Sequence, residues 1–283
     1  MSFDQLPSPK GAAVHIEAFA RGLARDVGSV DLVTVRPPAL AEGSETLLPP
    51  PSMRLMGPRL RHWMLPVRGR DLIGRVLHFR AGLRRWWAER PPADVLHIRS
   101  IYEGYLAIRN PHWFRRLVFE VNGLPSVELK YHYPQVAEDR EFMAKLFAQE
   151  DACLAAADAV VTPREVTAEF LAQRGVGPDR ITVIPNGVHE HLFTYHPPEL
   201  QPALPIRWLY QGTMTTWQGL FVLLEALRLF RRDHSAHLTL VGPTRKHQAR
   251  RLKDHAASLG LADAVTLLDP VGQAELASIH HRH

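Results

Sequence analysis

The residues able to do chemistry in this chain cluster where short apolar runs end. Lys10-Gly11-Ala12 opens a helical pattern, and a glycine there leaves backbone N–H groups and the positive end of a helix dipole open to an anion. An ordinary helix-leading loop has the same sequence. Glu120-Val-Asn122-Gly-Leu-Pro125 follows a β-branched run. Asn122 can hydrogen-bond a hydroxyl but cannot shuttle a proton at neutral pH. Glu128, Lys130, Tyr131 and His132 come next, groups able to bind a polyhydroxylated molecule or simply to be solvated on a loop. Further on, Tyr210-Gln-Gly-Thr-Met-Thr-Thr-Trp-Gln-Gly219 carries Gly212, Thr213, Thr215 and Gln218, uncharged hydrogen-bond donors in a glycine-bounded loop. Gly242-Pro243 and Asp269-Pro-Val271 close two later runs, either as plain turns or as the ligand-collecting edge of a parallel sheet.

Other reactive types have structural explanations. Cys153 has no second cysteine or spaced histidine near it and reads as a small buried apolar residue. Thr162-Pro-Arg-Glu165 reads as a helix cap with proline in the first turn and a capping box. Glu150 lies on an apolar helix face and is expected to be a buried carboxylate paired with a loop amide, and His97, at a strand end, reads as a core histidine. His280, His281 and His283 resemble metal spacing but sit at a terminus expected to fray; no metal site is expected.

These positions need a scaffold, and the pattern supplies one. Asp31–Val35, Asp94–Ile98, Leu117–Val121, Ala159–Val161 and Ile181–Ile184 read as buried strands, with helices over 13–25, 71–89, 138–157 and 163–173. Alternating β and α implies a parallel sheet. Tyr195 to Pro205 carries four prolines in eleven residues, which marks a domain boundary. Strands at 206–210, 237–241 and 264–268 follow, with helices between them. The fold class is therefore α/β, with domains at 1–200 and 203–283. The second domain, with three strands, looks unfinished, and Met1-Ser-Phe3 is too short for the strand that should precede the first helix.

Ile181-Thr-Val-Ile-Pro-Asn-Gly-Val188, preceded by Ala157-Asp-Ala-Val-Val-Thr162 and followed by the Gly212 to Gly219 loop, Leu224-Glu-Ala226 and Leu240-Val-Gly242, resembles the retaining glycosyltransferases of family 4 over about residues 6–276. The resemblance implies a GT-B fold of two Rossmann-like domains, the second incomplete in this chain. It also implies transfer of a hexosyl unit from a nucleotide-sugar to a glycan or lipid-linked acceptor, without a metal or other cofactor. By resemblance, Gly11, Ala12, Gly212, Thr213, Gln218, Gly242 and Val271 bind the donor, while Asn122 and Glu128 serve the acceptor side. Three family features are missing. Thr213 and Gln218 stand where relatives carry positive charges, a histidine is absent from the end of the Leu117 strand, and the paired glutamates expected further downstream are not in the chain.

Composition narrows the partners. Net charge is +5, but residues 54–90 hold ten arginines against two acids, a local +8. With Trp63, Phe79, Trp86 and Trp87 in the same stretch, this reads as an amphipathic helix for an anionic membrane or as a solvated arginine face. No nucleic-acid motif accompanies the charge. No run is apolar enough to span a membrane, no signal peptide is evident, and one cysteine suits a reducing compartment, so a cytoplasmic location is expected, peripheral to the inner face of the membrane on the first reading of that stretch. Three functions stand: an active family 4 hexosyltransferase, an inactive GT-B fragment that binds membrane or partner, and a nucleotide-sugar epimerase. A dehydrogenase is excluded because no Gly-x-Gly-x-x-Gly follows a strand.

Overall fold

The computed structural model describes residues 1–37, 51–195, 197 and 204–283. Residues 196 and 198–203 of the proline-rich boundary segment lie outside the described residues. The chain divides into two compact units, Met1–Ser8 with His15–Asn186 and Pro9–Val14 with Gly187–His283.

The first unit holds α1 (Gly11–Asp26) from His15 onward, then β1 (Val30–Val35), β2 (Ser52–Gly57), β3 (Leu60–Leu65), α2 (Leu72–Trp87), β4 (Ala93–Ile98), α3 (Ile101–Ile108), β5 (Phe114–Glu120), α4 (Pro125–His132), α5 (Arg140–Ala156), β6 (Ala159–Thr162), α6 (Glu165–Gln173) and β7 (Ile181–Val183). Its strands are ordered β1-β3-β2 and β4-β5-β6-β7, parallel throughout except for the β2–β3 hairpin. Met1 to Leu6 form no regular strand, yet they take a strand's place. The Ser2 amide donates to Val33 O at 2.9 Å, Val35 N donates to Asp4 O at 2.9 Å, and the Met1 amine donates to His97 O at 2.5 Å. An irregular segment thus satisfies β1 on one side and β4 on the other, and it is not itself a strand, as the shortness of Met1-Ser-Phe3 led us to expect.

The arginine-rich stretch is not one helix. Residues 52–65 form the β2–β3 hairpin, in which Leu60, His62 and Met64 are buried and Arg61 is exposed, the period-2 alternation of a strand. On α2, Asp71 caps the first turn by accepting from Gly74 N at 2.7 Å. The expected interfacial aromatics lie in the core: Phe79 is fully buried, and Trp86 and Trp87 are 5% exposed. Trp87 stacks on Trp113 at 5.0 Å, and Arg90 lies 4.2 Å over Trp86. The arginines serve the fold as well: Arg80 donates to Ile101 O and Tyr102 O at 2.8 and 2.7 Å. Arg80 thus ties α2 to α3, while Leu55, Ile73 and Leu77 of the same stretch are exposed. Among the described residues, no helix is long and apolar enough to cross a membrane.

The second unit runs β8 (Ile206–Gln211), α7 (Leu220–Phe230), β9 (Ala236–Val241), α8 (Lys246–Ser258), β10 (Val265–Leu268) and α9 (Gln273–His280). Its sheet is ordered β10-β9-β8 and wholly parallel. Leu220, Leu224 and Leu227, at helical spacing on α7, pack with Leu238, Leu240 and Leu252.

Candidate functional site

β4 and β5 are adjacent and parallel, with Ile98 opposite Phe119, so their carboxyl ends bring His97 and Glu120 to one edge. α1, opening beside that edge, adds His15. Glu120 is 4% exposed and its carboxylate accepts three hydrogen bonds. His15 Nε2 donates to Oε1 at 2.8 Å, Asn122 Nδ2 donates to Oε1 at 2.5 Å, and His97 Nε2 donates to Oε2 at 2.8 Å. An ionised carboxylate only accepts, so both imidazoles must place their proton on Nε2. Arg99 lies alongside, with Nε 3.3 Å from Glu120 Oε1 and Nη1 3.4 Å from Asp4. Burial alone would raise the Glu120 pKa, but hydrogen bonds from His15 and His97, the Arg99 charge and the Asn122 amide outweigh it and hold the group far below the usual carboxylate range. Burial lowers the pKa of His97 despite its bond to Glu120, which keeps that ring neutral. The Phe19 ring stacks parallel to His15 at 6.2 Å and lies 4.7 Å from His97.

Asn122, an expected site residue, is therefore a member of this network. Glu128 is beside it. The first turn of α4 folds the carboxylate over Gly123, where an added Cβ would lie 1.9 Å from Oε1 and push the carboxylate aside. Burial of that carboxyl group, and after it the Glu150 charge, raises its pKa. Glu150 is itself fully buried. It accepts from Ser126 N at 2.7 Å, Ser126 Oγ at 2.5 Å and Arg174 Nη1 at 2.7 Å, the paired carboxylate the sequence predicted. Three signals escaped the sequence reading: His15, Arg99 and the role of Glu120. His15 stands four residues after Gly11 and shares its helix face with Phe19, a spacing that marks one side of a helix.

In the second unit the strand ends meet through backbone. Gly212 and Gly242 follow adjacent strands at φ +149° and +141°. A Cβ on Gly242 would lie 2.1 Å from Gly212 O. Gly212 N donates to Val241 O at 3.0 Å, Gly242 N to Leu268 O at 3.3 Å and Met214 N to Pro243 O at 2.9 Å. Thr213 O accepts from the Tyr210 hydroxyl at 3.0 Å, Gln218 is exposed, and Val271 is half-buried beyond β10. Among the described residues, the buried Thr215 Oγ1 has no hydrogen-bond partner. Gly11 begins α1, and a Cβ there would meet open space. The compact units place Gly11 and Ala12 with Gly212, Thr213, Gln218, Gly242 and Val271 in the second unit, and Asn122 and Glu128 in the first.

Several expectations change. Thr162 ends β6 and does not cap a helix; α6 begins at Glu165 with Arg164 in the cap position and no side-chain cap. The Ile184 amide donates to Thr162 O, which extends the strand pairing past the point where the helix was expected. His97 belongs to the Glu120 network instead of an apolar core. The terminal histidines are held, not frayed: His280 Nε2 bonds Gln211 Oε1 at 2.5 Å, and His283 bonds Thr239 Oγ1 and Ile279 O at 2.8 Å each. Cys153 is fully buried against Gly104, and burial pushes its thiol up to about 12.

The model of Glycosyltransferase Family 4 matches residues 9–192. A D-inositol 3-phosphate glycosyltransferase of Stackebrandtia nassauensis is 31% identical over 234 residues, covering 74% of this chain and 51% of that protein. One of the same name from Acidothermus cellulolyticus is 27% identical and covers 95% of this chain and 63% of its own length. This chain thus spans roughly half to two thirds of these relatives. Among solved structures, Anabaena Alr3699/HepE in complex with UDP and glucose aligns with TM-score 0.65 and 18% identity over 98% of this chain and 71% of that one. The catalytic domain of starch synthase IV from Arabidopsis thaliana, bound to ADP and acarbose, aligns with TM-score 0.63 and 11% identity over 99% and 75%. The parallel sheets, their carboxyl-end loops and these alignments agree on a GT-B type of α/β fold, and the chain belongs to Glycosyltransferase Family 4.

Proposed function

We propose that this chain transfers a hexosyl unit from a nucleotide-sugar donor to a polyhydroxylated acceptor, with retention of configuration at the sugar carbon. The observation that carries the reading is the Glu120 network: a buried anion orienting two imidazoles and an amide at the carboxyl edge of a parallel sheet, where α/β folds collect ligands. The glycine-rich ends of β8 and β9 support a donor site. Backbone amides and the neutral donors Thr213 and Gln218 would hold the diphosphate there, more weakly than charged side chains do, and no metal ion takes part. The names of the relatives support a phosphorylated inositol as acceptor, while the resemblance supports a glycan or glycolipid.

Mass-detected transfer tests this. The chain is incubated with UDP-, GDP- and ADP-hexoses and with myo-inositol phosphate or a lipid-linked sugar, with and without EDTA. The expected result is an acceptor heavier by one hexose, α-linked from an α-linked donor, and unaffected by EDTA. Release of a free epimerised sugar would establish the epimerase alternative. Nucleotide binding without transfer to any acceptor would leave an inactive binding module.

A further inference from the structure

We infer that the amino end of α8 binds a phosphate group, as the free ion or as a monoester, at a site that a donor diphosphate held by Thr213 and Gln218 leaves open. The inference does not rest on sugar transfer. α8 opens on Arg245, Lys246 and His247, with no acid in its first turn and no side-chain cap. Cations at this end of a helix oppose its dipole, and an anion offsets both. The Ala249 amide donates to Arg245 O at 2.9 Å, but among the described residues the amides of Lys246, His247 and Gln248 have no acceptor. Thr244, placed where a cap could form, turns its hydroxyl to Arg245 O at 3.4 Å instead. Water would satisfy such amides on an ordinary exposed helix end. Gln248 sets this end apart. It is the third residue of α8 and 4% exposed, and among the described residues its Nε2 has no hydrogen-bond partner. A long side chain on a helix points back toward the amino end. That places a fourth donor, closed off from solvent, beneath the three free amides.

Charge and access agree with this. Arg245, Lys246 and His247 are exposed, so the rim is open while Gln248 closes the floor. The nearby acids are already engaged: Asp254 faces Arg250 at 3.7 Å, and Glu225 faces Arg228 at 3.2 Å and His255 at 3.6 Å. Arg251 lies over the Phe221 ring. Arg245 and Lys246 form no ion pair among the described residues. Four N–H donors with two such cations match the several oxygens and double charge of a phosphate better than the two oxygens of a carboxylate. Occupancy would be felt in the rest of the unit. Leu252 of α8 packs with Met214 and Leu240, and the Met214 amide donates to Pro243 O at 2.9 Å, so the segment leading into α8 is tied to the loop after β8.

The test uses the full chain labelled with 15N-glutamine, at about pH 8, above the second ionisation of a phosphate group. The Gln248 carboxamide is identified by the signal lost in Gln248→Leu. Inorganic phosphate is expected to move that signal saturably, whereas potassium chloride at equal ionic strength and sodium acetate leave it in place. The response should survive saturating UDP. Calorimetry should show phosphate binding at least tenfold weaker in Lys246→Glu, an exposed substitution, and severalfold weaker in Gln248→Leu. No saturable movement, an equal response to chloride or acetate, abolition by UDP, or unchanged affinity in Lys246→Glu overturns the inference; abolition by UDP would assign the contact to the donor. Glucose 6-phosphate distinguishes the two sources of the group. Binding as tight as that of inorganic phosphate supports a monoester site, and binding of inorganic phosphate alone supports a site for the free ion.

Discussion

The carboxyl ends of the two parallel sheets are built from opposite materials. In the first unit the edge is made of side chains: a buried carboxylate, two imidazoles, an amide and a guanidinium, contributed by three segments of chain. In the second unit the edge is made of backbone: two glycines at positive φ whose loops touch, with the Tyr210 side chain nearest to Gly212. The difference teaches that the same fold edge can recognise ligands in two ways. Side-chain networks select by hydrogen-bond polarity and depend on protonation. Backbone loops select by close approach and depend on the absence of Cβ atoms.

The largest expected effect breaks the backbone edge. Gly242→Ala places a Cβ 2.1 Å from Gly212 O at a φ of +141°, and we expect a loss of about 4 kcal/mol, read as a lower melting temperature by calorimetry. A change below about 1 kcal/mol would mean that the two loops are not packed as described. Next, Glu120→Ala breaks the side-chain edge by leaving three donors and Arg99 without their anion, with an expected cost of about 3 kcal/mol by urea denaturation and loss of acceptor binding.

Acid sharpens the contrast. His62 is fully buried in the first unit, where Arg54 Nε donates to its Nδ1 at 3.1 Å and its Nε2 bonds Thr34 Oγ1 at 2.7 Å. Burial, and after it the Arg54 charge, pushes its pKa down to about 4 from 6.5. The unfolded chain therefore binds this proton first, so stability is full above pH 6.5 and falls as pH drops toward 4, by up to roughly 3 kcal/mol. Urea midpoints measured across that range should show the slope, and His62→Gln should remove it; an equal slope in the variant would reject the assignment. The smallest effect is expected at Gln218, whose side chain is exposed. Gln218→Ala should alter stability by less than about 0.5 kcal/mol while weakening nucleotide binding severalfold by calorimetry, which would separate its ligand role from the backbone's structural one.

Much of the scaffold was legible in the sequence because it is periodic. Leu220, Leu224 and Leu227 announce α7, and the β-branched runs at 94–98 and 117–121 announce β4 and β5. The β2–β3 hairpin was not legible, because alternating arginines in Arg54 to Leu65 looked like surface charge until their neighbours Leu60, His62 and Met64 were seen to point inward. Helices α3 and α4 were missed for a related reason: each is only eight residues long, about two turns, too short to display a helical period against a background of loops.

By itself, the sequence determined the alternation of strands and helices, the parallel sheets, the family, and the burial of Cys153 and Glu150, since each follows from local patterning or from a contiguous motif. The tertiary structure alone decided that Trp86 and Trp87 are core and not an interfacial anchor, that Met1 to Leu6 stand in for a strand, and that His15, His97 and Glu120 form one network. The physical reason is separation along the chain. His15 and Glu120 are 105 residues apart and His97 and Glu120 are 23 apart. A hydrogen bond between residues so distant depends on which strands are neighbours and in what register, information that no local pattern of residues carries.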